Sequence, residues 1–393
     1  MSGSPQTLEL RIDSLAAGGD GVGRAADGRV VFVPFTAPGD RARVAVEPGG
    51  ARFARGRVVE LLEPATSRTD PVCAVFGSCG GCVWQHVARD AQLEARRTIL
   101  RDAIERIGGI RLDAPPEIVA CPSPYAYRSR TRVVVEAGRV GYRRRRSRAV
   151  CATSRCPVLV APLEEALRAL ASRPPMDDGE WEIAAGDDGN VCTTRLGARE
   201  RAPGRLVIHA AGERIERNAG VFAQSNALLL DPLARAVLEA AGRGERAVEL
   251  FSGAGFFTIG LARRFEHVVA VEGDPIAASD LESNVGNAGL SQVEIVRTAV
   301  EHALGLPALA RAAPDVVVLD PPRTGLPRGL APAIGALDAA RIVYLSCDPA
   351  TLARDVSALV PLGYDLVSVR GFDLFPQTAH VEALVVLERR LRA

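Results

Sequence analysis

Ala247-Val248-Glu249-Leu250-Phe251-Ser252-Gly253-Ala254-Gly255 reads as an apolar strand running into a glycine-rich turn, and a helix is expected over Phe256 to Arg264. Glycines at the carboxyl end of a first strand let a ligand approach the backbone closely. The spacing is not G-x-G-x-x-G, so a dinucleotide is not implied. Four further apolar runs follow: Val268–Val271, Val293–Val296, Val316–Leu319 and Ile342–Leu345. Amphipathic stretches separate them, the pattern of a doubly wound parallel sheet. Glu272, at the end of the second strand, lies about 20 residues beyond the turn, where an acid suits ribose hydroxyls. A glycine turn with an acidic second strand is the usual arrangement for S-adenosylmethionine.

The chain has 393 residues, enough for two or three domains at about 150 residues each. Residues from about 6 to 63 alternate in short segments around the turn cluster Gly18-Gly19-Asp20-Gly21, as a small closed barrel would. The expected division is 1–64 for the barrel, 65–235 for a central α+β region whose helix over about 88–108 is expected to pack on the C-terminal domain, and 236–393 for the doubly wound domain. Val87 to Ile107 carries helical periodicity, ended by Gly108-Gly109. Arg128 to Val135 with Gly138 to Tyr142 reads as a basic hairpin. No apolar run approaches the roughly 20 residues that span a bilayer. Met1 to Asp13 lacks a signal-peptide pattern. A cytoplasmic, monomeric protein with no membrane partner is expected.

Every basic residue is Arg, and the net charge is only +1. Ten arginines and one acid, Glu136, fall between Tyr125 and Arg155, so this stretch holds +9 and the remainder is acidic. Such a concentration suggests a phosphate-bearing partner; a solvated Arg-rich loop is the bland alternative. Of eight cysteines, Cys73, Cys79 and Cys82 form C-x5-C-x2-C around Gly80-Gly81. That turn lets two thiolates address one metal centre. Cys151 and Cys156 are the near candidates for a fourth ligand. All-thiolate ligation suits zinc or an iron–sulfur cluster, and spacing does not separate them. Buried structural thiols are the alternative.

Asp320-Pro321-Pro322-Arg323 closes one strand with a stiffened loop fit to hold a planar substrate. Ser346-Cys347-Asp348-Pro349 closes the next. Asp348 reads as an N-cap and Pro349 as the first helical residue, so the helix dipole is expected to favour thiolate at Cys347. His380 and Glu382 precede the apolar strand Ala383–Leu387 and are candidates for a general base and its neighbour.

Together these motifs resemble the RNA 5-methyluridine methyltransferases over nearly the whole chain. The resemblance implies a TRAM domain, an oligonucleotide-binding barrel, at the N-terminus. It implies a central domain whose Cys73, Cys79, Cys82 and Cys156 bind an iron–sulfur cluster, 4Fe-4S rather than zinc. Cys156 is preferred to Cys151 because Pro157-Val158-Leu159 follows it. It implies a Rossmann-like methyltransferase domain at the C-terminus. S-adenosylmethionine would contact Gln224 of Phe222-Ala223-Gln224-Ser225-Asn226, and Glu249, Phe251, Gly253, Gly255, Glu272 and Asp320. Arg128, Arg130, Arg132, Pro321, Arg323 and His380 would meet RNA. Cys347 would add to uracil C6 and Glu382 would remove the C5 proton. The pattern departs at Ser252, where the family often has Cys, and at Thr298-Ala299, where it often has an acid or amide.

The implied activity is uridine-C5 methylation of RNA, with the large ribosomal RNA as expected target and transfer RNA as the alternative. A non-catalytic RNA-binding or assembly factor is the alternative of another class. The route needs no electron, so a cluster is expected to be structural rather than redox-active.

Overall fold

Alternating burial closes the first segment on itself. In β1 (Gln6–Leu15), Leu10, Ile12 and Leu15 point inward while Glu9, Arg11 and Asp13 face water. With β2 (Gly21–Arg24), β3 (Val30–Val33), β4 (Arg41–Val46) and β5 (Phe53–Glu63) it forms a closed barrel in the order β1-β2-β3-β5-β4. Val31, Val33, Val44 and Ala54 fill it, and closure leaves no free sheet edge. The computed structural model describes residues 6–48, 50, 52–197, 204–310 and 314–390. Residues 1–5 and 391–393 of the two expected terminal domains lie outside that range.

The barrel is seated on the rest of the chain by its Gly18–Gly21 turn. Gly19 has φ +88°, and a Cβ there would stand 2.7 Å from a Val83 methyl and 3.6 Å from Ala379 Cβ. The Trp84 indole N–H donates to the Gly19 carbonyl at 3.0 Å. Next to it, the nearly buried Asp20 accepts from Arg145 and Arg146.

Helix α1 (Arg89–Asp102) ends in a π turn over Ala103–Ile107. Its buried residues are Gln92, Ala95, Arg96, Ile99 and Leu100, a single stripe at helical spacing. That stripe joins the core of the C-terminal sheet. The short β6 (Glu117–Val119) joins the same sheet as an edge strand, parallel to its neighbour. The middle of the chain thus supplies both a covering helix and a strand to the C-terminal body.

Strands β7 (Arg130–Glu136), β8 (Arg139–Arg143), β9 (Val150–Ala152), β10 (Gly179–Ala185) and β11 (Val191–Arg195) form an antiparallel sheet in the order β11-β10-β7-β8-β9. Helix α2 (Ala161–Ser172) covers it through Leu163 and Leu167. The hairpin β12 (Arg205–Ala210) and β13 (Glu213–Asn218) follows.

The five expected apolar runs are β14 (Gly244–Leu250), β15 (Phe265–Glu272), β16 (Val293–Arg297), β17 (Val316–Leu319) and β18 (Arg341–Ser346), all parallel. Two antiparallel strands, β19 (Tyr364–Phe372) and β20 (Glu382–Arg389), extend the sheet to β16-β15-β14-β17-β18-β20-β19-β6. Helices α3 (Leu230–Ala241), α4 (Thr258–Ala262), α5 (Pro275–Asn287), α6 (Val300–Ala303), α7 (Pro307–Ala310), α8 (Leu330–Gly335) and α9 (Pro349–Leu359) accompany it. The expected helix over Phe256–Arg264 contracts to the short α4, because the turn after β14 continues through Phe257. No helix among the described residues is long and apolar enough to cross a membrane.

Gly19→Ala would force a side chain into a left-handed position and against Val83. A loss of about 1–3 kcal/mol is expected, read as a lower urea midpoint; an unchanged midpoint would show that this turn does not seat the barrel.

Candidate active site

The carboxyl edge of the parallel strands gathers the chemistry. The order reverses between β14 and β17, the switch point at which open α/β sheets bind ligands. Phe251–Ala254 follow β14 and Asp320 follows β17, on either side of it. β18 and β20 run antiparallel with Ser346 opposite Ala383. Cys347 follows the last residue of β18 and Glu382 opens β20, so the two come together at this edge, and the Glu382 charge acts on the Cys347 thiol. Asp348 caps α9, accepting from the N–H groups of Ala350 and Thr351. Pro321 is buried, whereas Arg323 is largely exposed and lies 3.5 Å from Asp348.

Electrostatics at this edge correct one expectation. The helix dipole was expected to favour thiolate at Cys347. Instead burial, then Glu382 and Asp320, push the thiol up to about 12. Two acids in a desolvated corner outweigh a helix terminus, whose effect is modest. Burial raises Glu382 well above the ordinary carboxylate range, with Asp320 adding to it. Asp320 is itself raised to about 7 by burial, partly offset by a hydrogen bond from the Gln224 side chain. Burial thus disfavours the charged form of all three groups.

The glycine turn is built under strain. Phe251 has φ +65°, which costs a side-chain-bearing residue about 1–3 kcal/mol. Gly255 has φ +95°, and a Cβ there would meet Leu281 at 2.8 Å. The Glu272 carboxylate accepts from Gly253 N–H at 2.7 Å and from Asp274 N–H at 2.6 Å, tying the second strand end to the turn. Glu249 turns inward to the Thr258 hydroxyl, and burial raises it to about 8. A cavity of about 40 Å³ is lined by Phe251, Ser252, Gly253, Gln224, Asp320 and the buried Arg217 among others; the expected cofactor residues Glu249, Gly255 and Glu272 are not in its lining. Thr298-Ala299 lies against Gly273, beside the Glu272 strand end.

Phe222 and Gln224 also line a second cavity, of about 560 Å³. Cys73, Cys79, Cys82 and Cys156 all face it, as do Arg128, Arg130 and Arg132. Burial raises the Cys79 and Cys82 thiols to about 11 and about 12, with the other cysteines adding to the shift; Cys151 also acts on Cys79. The donor set and shared cavity suit a soft metal centre. As placed, no group of three or more His, Cys, Asp or Glu among the described residues stands close enough to hold an ion.

The Arg-rich stretch is not a free cationic face. Arg130 and Arg132 pair with the buried Glu182, and Arg145 and Arg146 with Asp20. Arg128 lies over the Phe375 ring at 5.9 Å, and Arg130 over the exposed Phe222 ring at 5.4 Å. Acids from distant segments neutralise part of what looked like unopposed charge.

The segment leading into Glu382 is held by residues that the motifs did not single out. Arg96 donates to the carbonyls of Phe375, Thr378 and His380. The Tyr127 hydroxyl donates to the Pro376 carbonyl at 2.9 Å, and the Asn226 amide to the Leu374 carbonyl at 2.8 Å. Gln92 exchanges hydrogen bonds with Gln377. For Gln92 and Arg96 the only sequence signal is that they are polar residues on the apolar stripe of α1. His380 packs its ring edgewise near Phe375.

Comparisons with known proteins agree with this arrangement. Residues 204–390 match the tRNA (uracil-5-)-methyltransferase family model, and residues 5–59 match the TRAM domain. A 23S rRNA (uracil(1939)-C(5))-methyltransferase of Edwardsiella ictaluri is 34% identical, over 97% of this chain and 95% of that protein. An uncharacterized RNA methyltransferase of Thermosynechococcus vestitus is also 34% identical, over 97% and 98%. The solved tRNA (uracil-54, C5)-methyltransferase of Pyrococcus abyssi shares the fold, with TM-score 0.73 and 23% identity over 97% of this chain and all of that one.

With its thiol near 12, Cys347 should be alkylated at a rate that keeps rising past about pH 9 rather than levelling near the free-thiol value of about 8.5. Glu382→Gln removes one opposing negative charge and should move the profile to lower pH. Peptide mass spectrometry after timed iodoacetamide treatment reads both; a wild-type plateau near pH 8.5 would overturn the account.

Proposed function

We propose, on the premise that this chain belongs to the RNA uracil-C5 methyltransferase family, that it methylates C5 of a uridine in 23S ribosomal RNA with S-adenosylmethionine as donor. The meeting of Cys347, just past β18, with Glu382 at the start of β20 and Asp320 after β17 is the observation that carries the reading. The ribosomal target is supported by 34% identity, over nearly the full length, to a 23S enzyme.

Uracil C5 is too weak a nucleophile to take a methyl group unaided. The Cys347 thiol gives up its proton to solvent, and addition of the resulting thiolate at C6 moves electron density onto the ring and makes C5 nucleophilic. Bound S-adenosylmethionine supplies an electrophilic methyl group on a positively charged sulfur. Asp320, with Gln224 hydrogen-bonded to it, stands between the small cavity and the Cys347 corner and would orient the reactants. Glu382 then takes the C5 proton, the C5–C6 double bond re-forms, and Cys347 leaves. Burial makes Glu382 a stronger base once it has ionised, which suits a carbon acid. The target uridine has to leave its stack to reach this edge. The barrel and the arginines lining the larger cavity would hold the surrounding strand by phosphate contacts and stacking.

Cys73, Cys79, Cys82 and Cys156 would hold an iron–sulfur cluster, whose part is to fasten the Cys73–Cys82 segment to Cys156. No electron enters the methylation route.

Cys347→Ala should abolish methylation, and RNA carrying 5-fluorouridine should trap wild-type protein covalently through Cys347. Absence of a trapped species would overturn the mechanism. Assayed side by side, 23S transcripts should be methylated and transfer RNA not; the reverse would move the target. Tritium release from 5-tritiated uridine RNA separates an enzyme from a binding factor, which releases none.

Anaerobically purified protein should show a broad visible absorption band with bound iron and sulfide, and Cys79→Ser should lose it. Stoichiometric zinc with no visible band would replace the cluster by a zinc site.

A further inference from the structure

We propose that Arg96 is a positioning residue, whose buried guanidinium sets the path of the loop from Asp373 to Val381 and so aims the Glu382 carboxylate. The inference rests on reading Glu382 as the base that removes the C5 proton.

Arg96 is fully buried in α1, on a stripe where an apolar side chain would pack. Its Nη2 donates to the Thr378 carbonyl at 2.7 Å and the Phe375 carbonyl at 3.0 Å, and its Nε to the His380 carbonyl at 3.2 Å. The same Nη2 lies 3.0 Å from the buried Asp373 carboxylate. The Trp84 ring covers the guanidinium, 5.1 Å from ring centre to Cζ. Burial lowers Arg96 only to about 10, so it stays charged at neutral pH.

These contacts converge on a turn whose own bonds run through Thr378, from its N–H and hydroxyl to the Phe375 carbonyl. Gln377 sits at φ +68°, an unfavourable conformation for a residue with a side chain. It is kept there by Gln92 and by the Val83 and Trp84 N–H groups, which both donate to its carbonyl. The last carbonyl held by Arg96, that of His380, is two residues before Glu382. Only a planar donor fork reaches three carbonyls of one turn while facing a carboxylate; an ammonium group is a point charge with no such geometry. Filling space would not need a cation, and a buried ion pair is weak evidence of a stabilising role. Fixing one loop geometry does need this set of donors.

The test uses the full chain and separates the two halves of the reaction. With 5-fluorouridine RNA, Cys347 addition and methylation leave a covalent species, because fluorine at C5 cannot be removed as a proton. With 5-tritiated uridine RNA, tritium release reports the step assigned to Glu382. Arg96→Lys and Arg96→Leu are compared with wild type. In Arg96→Leu the buried Asp373 keeps its second cation, Arg89, so no carboxylate is left unpaired and the test stays open if Arg96→Lys folds poorly.

In a folded variant, kcat for tritium release should fall about 100-fold with KM little changed, the scale of a misplaced catalytic group. Fluorouridine adduct formation should stay within a few-fold of wild type. A denaturation-resistant protein–RNA species should accumulate on ordinary uridine RNA. Adduct formation and tritium release falling together, or neither falling, overturns the proposal. A wild-type protein that forms no fluorouridine adduct overturns the catalytic reading itself, and this inference with it.

Discussion

The antiparallel pairing of β18 with β20 is the constraint on which the site depends. Parallel strands bring their carboxyl ends to one edge, but they deliver residues that arrive from the same direction. β20 runs the other way and brings Glu382 to that edge at the start of a strand instead of its end. A slip of one residue would turn Glu382 to the opposite face. Ala383 to Leu387 are buried without a break, so the strand that carries Glu382 is anchored in the core of the sheet.

That corner is charged sparingly. Cys347, Glu382 and Asp320 are all raised above their ordinary values, and burial is the leading cause each time. Desolvation that holds a thiol protonated also makes its anion more reactive when it forms. The same burial that disfavours the Glu382 carboxylate makes it an effective proton acceptor once it has ionised. Such a site waits for a cation or substrate to change its field.

Much of the C-terminal body was legible because hydrophobic runs of four or five residues can be read singly. The five parallel strands and the cap at Asp348 rest on local signals. What stayed hidden rests on remote ones. The contribution of β6 to the C-terminal sheet depends on a partner far along the chain. Local counting of Arg128 to Arg155 could not see Asp20 and Glu182. The dipole argument at Cys347 was sound in sign, but the opposing acids come from other strands. Cys347 and Glu382 could be named from their motifs, while their coming together at one edge is a matter of strand pairing. Arg96 was overlooked because an arginine on an apolar stripe looks like noise until its carbonyl partners are known.

The bond from Arg96 to the His380 carbonyl spans 284 residues. At about 5–20 residues per second, α1 leaves the ribosome roughly 15–60 s before the turn that receives its guanidinium exists. During that interval the stripe of Ala95, Ile99 and Leu100 has no sheet to cover it. The nascent protein is then two finished modules joined by a sticky helix, and shielding by a holdase chaperone would matter most just before the last strands emerge.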